Sequence, residues 1–184
     1  NKPNFYDEDK MTAPMNQSGT LPQNIAFDKW ADIGFTWQGD VPMTALPRLA
    51  GQVIASGDLL SVALTLARQD KILWLTYDVK ATLSVACQRC LDPMPVDVSG
   101  NYRMAILESE NKIGYLEALD ETADYVLLDE ICPDDKKMLP VADMLEDELL
   151  LAIPLSPRHD DCDMHTDSVG DVADEPAENP FAVL

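Results

Sequence analysis

A period of two runs from Leu60 to Val85, interrupted by one polar turn, and it constrains this chain more than any other feature. Leu60, Val62, Leu64 and Leu66 alternate with Ser61, Ala63, Thr65 and Ala67. After Gln69-Asp70-Lys71, Leu73, Leu75, Tyr77, Val79, Ala81, Leu83 and Val85 take one face. Trp74, Thr76, Asp78, Lys80, Thr82 and Ser84 take the other. A helix would scatter these apolar residues around its circumference, so the alternation specifies strands with one buried and one solvated face. Gln69-Asp70-Lys71 reads as a hairpin turn, followed by one long half-exposed strand that delivers Cys87 on its apolar side. Beyond Pro93, Val96, Val98, Tyr102, Met104 and Ile106 resume the alternation, with Gly100 at a bulge or bend. Tyr125 to Leu128 reads as a further short strand.

Helical signals are fewer. Between Ile25 and Gly39, Phe27, Trp30, Ile33, Phe35 and Trp37 change spacing from three to two, as a helical turn running into a strand would. These aromatics read as core anchors; an RNA-stacking platform would bring Arg and Lys with it, and only Lys29 is near. Pro42 and Pro47 break residues 40–50 into a loop or interrupted helix. Residues 108–124 read as an acidic loop with a short helical piece, and 132–138 as a second loop. Pro140 opens a helix in which Val141, Met144, Leu145, Leu149 and Ala152 share a face, with Asp143, Glu146 and Asp147 opposite and Pro154 as the stop. The fold class is therefore α+β: a twisted antiparallel β-sheet of four or more strands, covered by one or two helices. Residues 1–24 are expected to form a disordered leader, 25–159 a single domain, and 160–184 an acidic disordered tail. With Asn at position 1, Met11 or Met15 is the expected natural start.

Charge narrows the function. With 13 Lys+Arg against 33 Asp+Glu, the formal net charge is −20. Nonspecific binding to nucleic acid depends on Lys and Arg displacing counterions from phosphates, so that class is disfavoured. A basic partner suits the balance, although an acidic surface also serves plain solubility. No apolar run approaches the ~20 residues of a membrane span, and cysteines without a leader point to a reducing compartment, so the expected location is cytoplasmic.

Chemistry-bearing residues cluster in two places. Cys87 and Cys90 are spaced to chelate one metal ion, and His159 and Cys162 repeat that spacing after the helix. Two chelating pairs of soft and borderline donors are what a closed tetrahedral zinc site requires. Inert thiols and a redox pair are the alternatives, the latter weakened because no helix N-terminus follows Cys87 to acidify it. Cys132 and His165 are substitutes or bystanders. Glu146, Asp147 and Glu148 point in different directions around a helix and read as a solvated face. The 8 glycines form no phosphate loop, and two histidines leave little for a hydrolytic triad. An enzyme is not expected. The tail carries eight carboxylates from Asp160 to Glu178 and ends on Asn179-Pro180-Phe181-Ala182-Val183-Leu184, an apolar segment that reads as a docking element, with Asn179, Pro180, Phe181 and Leu184 as candidate partner-binding residues.

Four motifs in order carry a resemblance: Cys87-Gln88-Arg89-Cys90-Leu91, the helix Leu145-Glu146-Asp147-Glu148-Leu149-Leu150-Leu151-Ala152-Ile153-Pro154, then Pro157-Arg158-His159, then the terminal hexapeptide. Across roughly residues 25–184 the chain resembles the bacterial YceD family, the large ribosomal RNA subunit accumulation proteins. The resemblance implies a cytoplasmic, non-catalytic factor needed for synthesis, processing or stability of the 23S ribosomal RNA. It implies a large-subunit precursor as partner, to which the acidic balance adds a basic ribosomal protein, and leaves direct RNA contact open. A CxxC thiol oxidoreductase or zinc-handling protein is the alternative.

Overall fold

In the computed structural model, residues 16–54, 59–132 and 137–164 are described. The strands are β1 (Asn16–Ser18), β2 (Ile25–Ala26), β3 (Phe35–Pro42), β4 (Leu59–Gln69), β5 (Ile72–Lys80), β6 (Thr82–Ala86), β7 (Pro93–Asp97), β8 (Gly100–Leu107), β9 (Asp124–Leu127) and β10 (Met138–Leu139). The helices are α1 (Phe27–Trp30), α2 (Pro47–Ala50), α3 (Ile113–Leu119), α4 (Leu128–Ile131) and α5 (Val141–Ala152). Six strands form one sheet in the order β1-β3-β4-β5-β8-β9, and β6 with β7 and β2 with β10 form two small antiparallel pairs.

The α+β class and the antiparallel centre of the sheet are as the alternation requires. Leu60, Val62, Leu64 and Leu66 of β4 and Leu73, Leu75, Tyr77 and Val79 of β5 are all buried on one face. The turn between them places both Asp70 and Lys71 at positive φ (49° and 64°), the geometry a two-residue hairpin turn needs to match strand twist. Both outer pairings differ from the expected pattern: β1 joins β3, and β9 joins β8, in parallel. Asn16–Ser18 thus lie on the sheet, and Leu21 is buried, ahead of the Ile25 at which the sequence reading starts the domain.

The expected single strand from Leu73 to Val85 is bent rather than straight. Val79 faces Gly100 in the β5–β8 pairing, and Thr82 faces Asp97 in the β6–β7 pairing. Three steps along one strand match three steps back along the other, so the register survives the bend. At the bend the Val98 N–H donates to the Ala81 carbonyl at 3.0 Å, and the Ala81 N–H donates to Ser99 Oγ at 3.1 Å. One two-stranded arm therefore runs from Leu73–Ile106 to Ala86–Pro93, and the Cys-x-x-Cys loop closes its tip.

α5 packs on the main core through Val141, Ala142, Met144, Leu145 and Leu149. The opposite face of the sheet is solvated only in part. α3 covers Ile72, Trp74, Ala105 and Leu107 with Leu116, and the Arg103 guanidinium stacks 3.5 Å over the Trp74 ring, so a position expected in water is 7% exposed. Ile33, expected in the core, is 59% exposed.

Glu146 is the clearest correction on α5. It is 2% exposed, where a solvated face was expected, because it falls on the stripe of Ala142, Leu145 and Leu149. Its Oε2 accepts from Arg48 Nε at 2.8 Å and its Oε1 from the Leu49 N–H at 2.9 Å. A buried carboxylate is tolerable only when paired and hydrogen-bonded in this way, and the pair fastens α2 to α5. Asp147 reaches Arg48 from the exposed side, at 2.5 Å.

Candidate metal centre

The arm places the first donor pair. At its tip the Cys87 N–H donates to the Asp92 carbonyl at 2.9 Å and the Leu91 N–H to the Cys87 carbonyl at 3.0 Å, a tight loop that puts Leu91 at φ +65°. Cys87 arrives fully buried because strand alternation puts it on the side of Leu83 and Val85; Cys90 is partly exposed.

The second pair is returned by the end of α5. Ile153 turns extended, Pro154 bars further helix, and Pro157 comes to lie buried against the arm. Its carbonyl accepts from the Gln88 N–H at 2.8 Å. Five residues on, the carbonyl of Cys162 accepts from Arg89 Nη1 at 2.7 Å. His159 and Cys162 are thereby held over the loop of Cys87 and Cys90.

Donor spacing fits a tetrahedral ion. Cys87 Sγ lies 3.7 Å from Cys162 Sγ, Cys90 Sγ lies 3.4 Å from His159 Nδ1, and all four donor atoms fall within 4.8 Å of one another. Zinc with Zn–S near 2.3 Å and Zn–N near 2.0–2.1 Å has edges of about 3.8 Å between sulfurs and about 3.6 Å between sulfur and nitrogen. The donor set is therefore chemically and geometrically suited to a structural zinc ion, with Cys87, Cys90, His159 and Cys162 each giving one atom. Four protein donors leave no open position for water or substrate, which distinguishes such a centre from a catalytic one.

The electrostatics suit a cation. Burial opposes ionisation of Cys87, but the N–H groups of Cys90, His159 and Arg89 outweigh it and draw the thiol down to about 5. Arg89 donates its backbone N–H to Cys87 Sγ at 3.4 Å. At Cys90 the Asp92 N–H acts in the same direction, yet burial and the adjacent Cys87 and Cys162 sulfurs prevail and lift the thiol to about 11. One sulfur thus concentrates negative charge, and Cys90 keeps its proton until a cation displaces it.

Cys132 stands apart from this cluster, its Sγ donating to the Met138 carbonyl at 3.2 Å. His165 and the candidate docking residues Asn179, Pro180, Phe181 and Leu184 lie outside the described residues. Sequence reading missed Gln88, Arg89 and Pro157 as the groups that position the second donor pair. Their place within or beside the motifs is the one signal that could have raised them. A concavity of about 910 Å³ on the solvated sheet face is lined by Gln38, Asp40, Ser61, Asp78, Lys80 and neighbours, none of them a donor of the cluster.

The protein thus brings four potential metal donors together where a β-arm meets the segment after a C-terminal helix. The family described as large ribosomal RNA subunit accumulation protein YceD matches residues 75–184, a span that contains all four donors. The chain belongs to this family. No solved structure matches it.

Proposed function

We propose that this protein is a non-catalytic cytoplasmic factor that supports accumulation of large-subunit ribosomal RNA, through the synthesis, processing or stability of the 23S molecule. The family match over residues 75–184 carries this reading. The route we infer is through protein: a body of net charge −20 is repelled by bare phosphate but attracts a basic ribosomal or pre-ribosomal protein. Zinc in the four-donor cluster has a structural part in this reading, holding residues 157–162 on the arm.

Capture of the tagged protein from lysate at low salt, with and without RNase, tests the reading. Retention of a basic large-subunit protein after RNase is expected. Loss of every ribosomal component with the RNA would overturn the protein route. The proximity of the Cys87 and Cys90 thiols at Cys-x-x-Cys spacing supports a second reading, a CxxC thiol oxidoreductase. Titration of thiols before and after chelation separates the two, since a structural zinc shields the cysteines and a redox pair leaves them reactive.

A further inference from the structure

β9 is the last strand of the six-stranded sheet. Its inner side pairs with β8, and among the described residues no strand, helix or loop hydrogen-bonds to its outer side. An open edge of this kind presents unpaired N–H and C=O groups and is a template for an added strand. Tyr125 pairs across from Ala105, so its ring stands on the face that α3 covers, and it is 41% exposed. Tyr115 and Leu119, four residues apart on α3, are 43% and 48% exposed.

The exposed charges that flank this edge in sequence are carboxylates, and the cation on the neighbouring strand, Arg103, is stacked on the Trp74 ring. Asp120 and Glu121 precede β9, Asp124 is its first residue, and Asp129 and Glu130 follow it on α4; all but the half-buried Asp120 are exposed, and none of the five forms an ion pair among the described residues. The field reaches α5, where burial first, and then Asp124 and Asp147, raise the Glu148 carboxyl. Carboxylates alone would be an ordinary solvated face. An open edge among them is different, because its backbone groups want a strand and its charges decide which. Another copy of this acidic chain is repelled, and a cationic strand is attracted.

We propose that the outer edge of β9, with the Tyr125 ring and the carboxylates of Asp120, Glu121, Asp124, Asp129 and Glu130 around it, binds a lysine- and arginine-rich polypeptide segment as an added extended strand. Backbone hydrogen bonds supply the register, and alternate side chains of the segment meet carboxylates and the tyrosine ring, which attracts a guanidinium through its face. This deepens, and rests on, the reading that the protein works through a basic ribosomal partner.

The test uses the full chain and a labelled peptide alternating lysine or arginine with valine, followed by fluorescence anisotropy at low salt. Glu121→Lys/Asp124→Lys is expected to weaken binding at least tenfold. Asp40→Lys/Asp78→Lys, the same change in net charge elsewhere on the sheet, is expected to change it less than threefold. Equal losses in the two variants would mean that net charge alone binds the peptide, and the proposal fails. A peptide N-methylated at alternate amides is expected to lose binding to the wild type; unchanged binding would overturn strand addition. If the wild type ignores the peptide yet retains a basic ribosomal protein from lysate after RNase, the edge proposal falls and the proposed function stands.

Discussion

Arg89, between the two cysteines of the arm loop, donates from Nη1 to the backbone carbonyl of Cys162 at 2.7 Å. The residue that spaces the first donor pair thus holds the main chain of the second. Together with the Gln88 N–H on the Pro157 carbonyl, it positions the cluster through contacts that involve no donor side chain.

Metal content should follow the four donors. The chain is expected to bind one zinc ion, and Cys90→Ser or Cys162→Ser to reduce that to a small fraction. Chelation should raise hydrogen exchange at the Gln88 amide and admit protease around Arg158, while the amides of β4 and β5 keep their protection. With free zinc at a thousand times Kd the stabilisation is about 4 kcal/mol. A wild type without bound zinc after purification in its presence would refute the assignment.

Glu146→Ala strands the buried Leu49 N–H and removes one of the three acceptors of Arg48, leaving Asp147 and the Asp143 carbonyl. A buried donor left without a partner costs about 1–3 kcal/mol, so the urea midpoint should fall accordingly. Glu146→Gln, which keeps an acceptor for Leu49, should lose less. Equal losses would mean that the hydrogen bond to Leu49 is not what matters.

Glu148 sets a pH dependence. Burial, and then Asp124 and Asp147, raise its carboxyl in the folded chain. The folded state therefore holds this proton more tightly than the unfolded one. The resulting stability is fully present below the ordinary carboxylate range and is lost as pH rises through the raised value. Glu148→Gln should equal or exceed the wild type at pH 7, by about 0.5 kcal/mol given solvent screening of a half-buried side chain. Its advantage should shrink as pH falls towards 4; a constant difference would contradict the assignment.

Leu116→Ala removes the residue with which α3 seals Ile72, Trp74, Ala105 and Leu107. The expected loss is about 2 kcal/mol, the low end for such a truncation, because a short helix at the surface can settle into the space. Tryptophan emission should shift to the red as Trp74 becomes wet. An unshifted spectrum would show that Arg103 alone keeps the ring dry.

What could be read from the sequence was local. Alternation located β4, the arm and the turn at Asp70-Lys71, because a period of two is set by neighbouring residues. Matching Cys-x-x-Cys and His-x-x-Cys spacings pointed to the four donors, and the stop at Pro154 suggested how the second pair returns. What escaped depends on partners far along the chain. The parallel pairing of β1 and β9 is decided by which short strand reaches the sheet edge. The burial of Glu146 depends on Arg48, 98 residues earlier. Trp74 lies on the side of polar neighbours and is dry only because α3 and Arg103 cover it.

The joined donors have one more consequence, for the order of events during synthesis. Cys87 and Cys162 are 75 residues apart, and Cys90 and His159 are 69 apart. A bound ion closes a ring of chain holding β7, β8, α3, β9, α4, β10 and α5, while β1 to β6 remain outside it. Such a cross-link restricts the unfolded ensemble as a disulfide does, yet it can be undone by a chelator. On a vectorially made chain, the first two thiols emerge well before the second pair, so the sheet strands ahead of the arm can pair while the ring is still open.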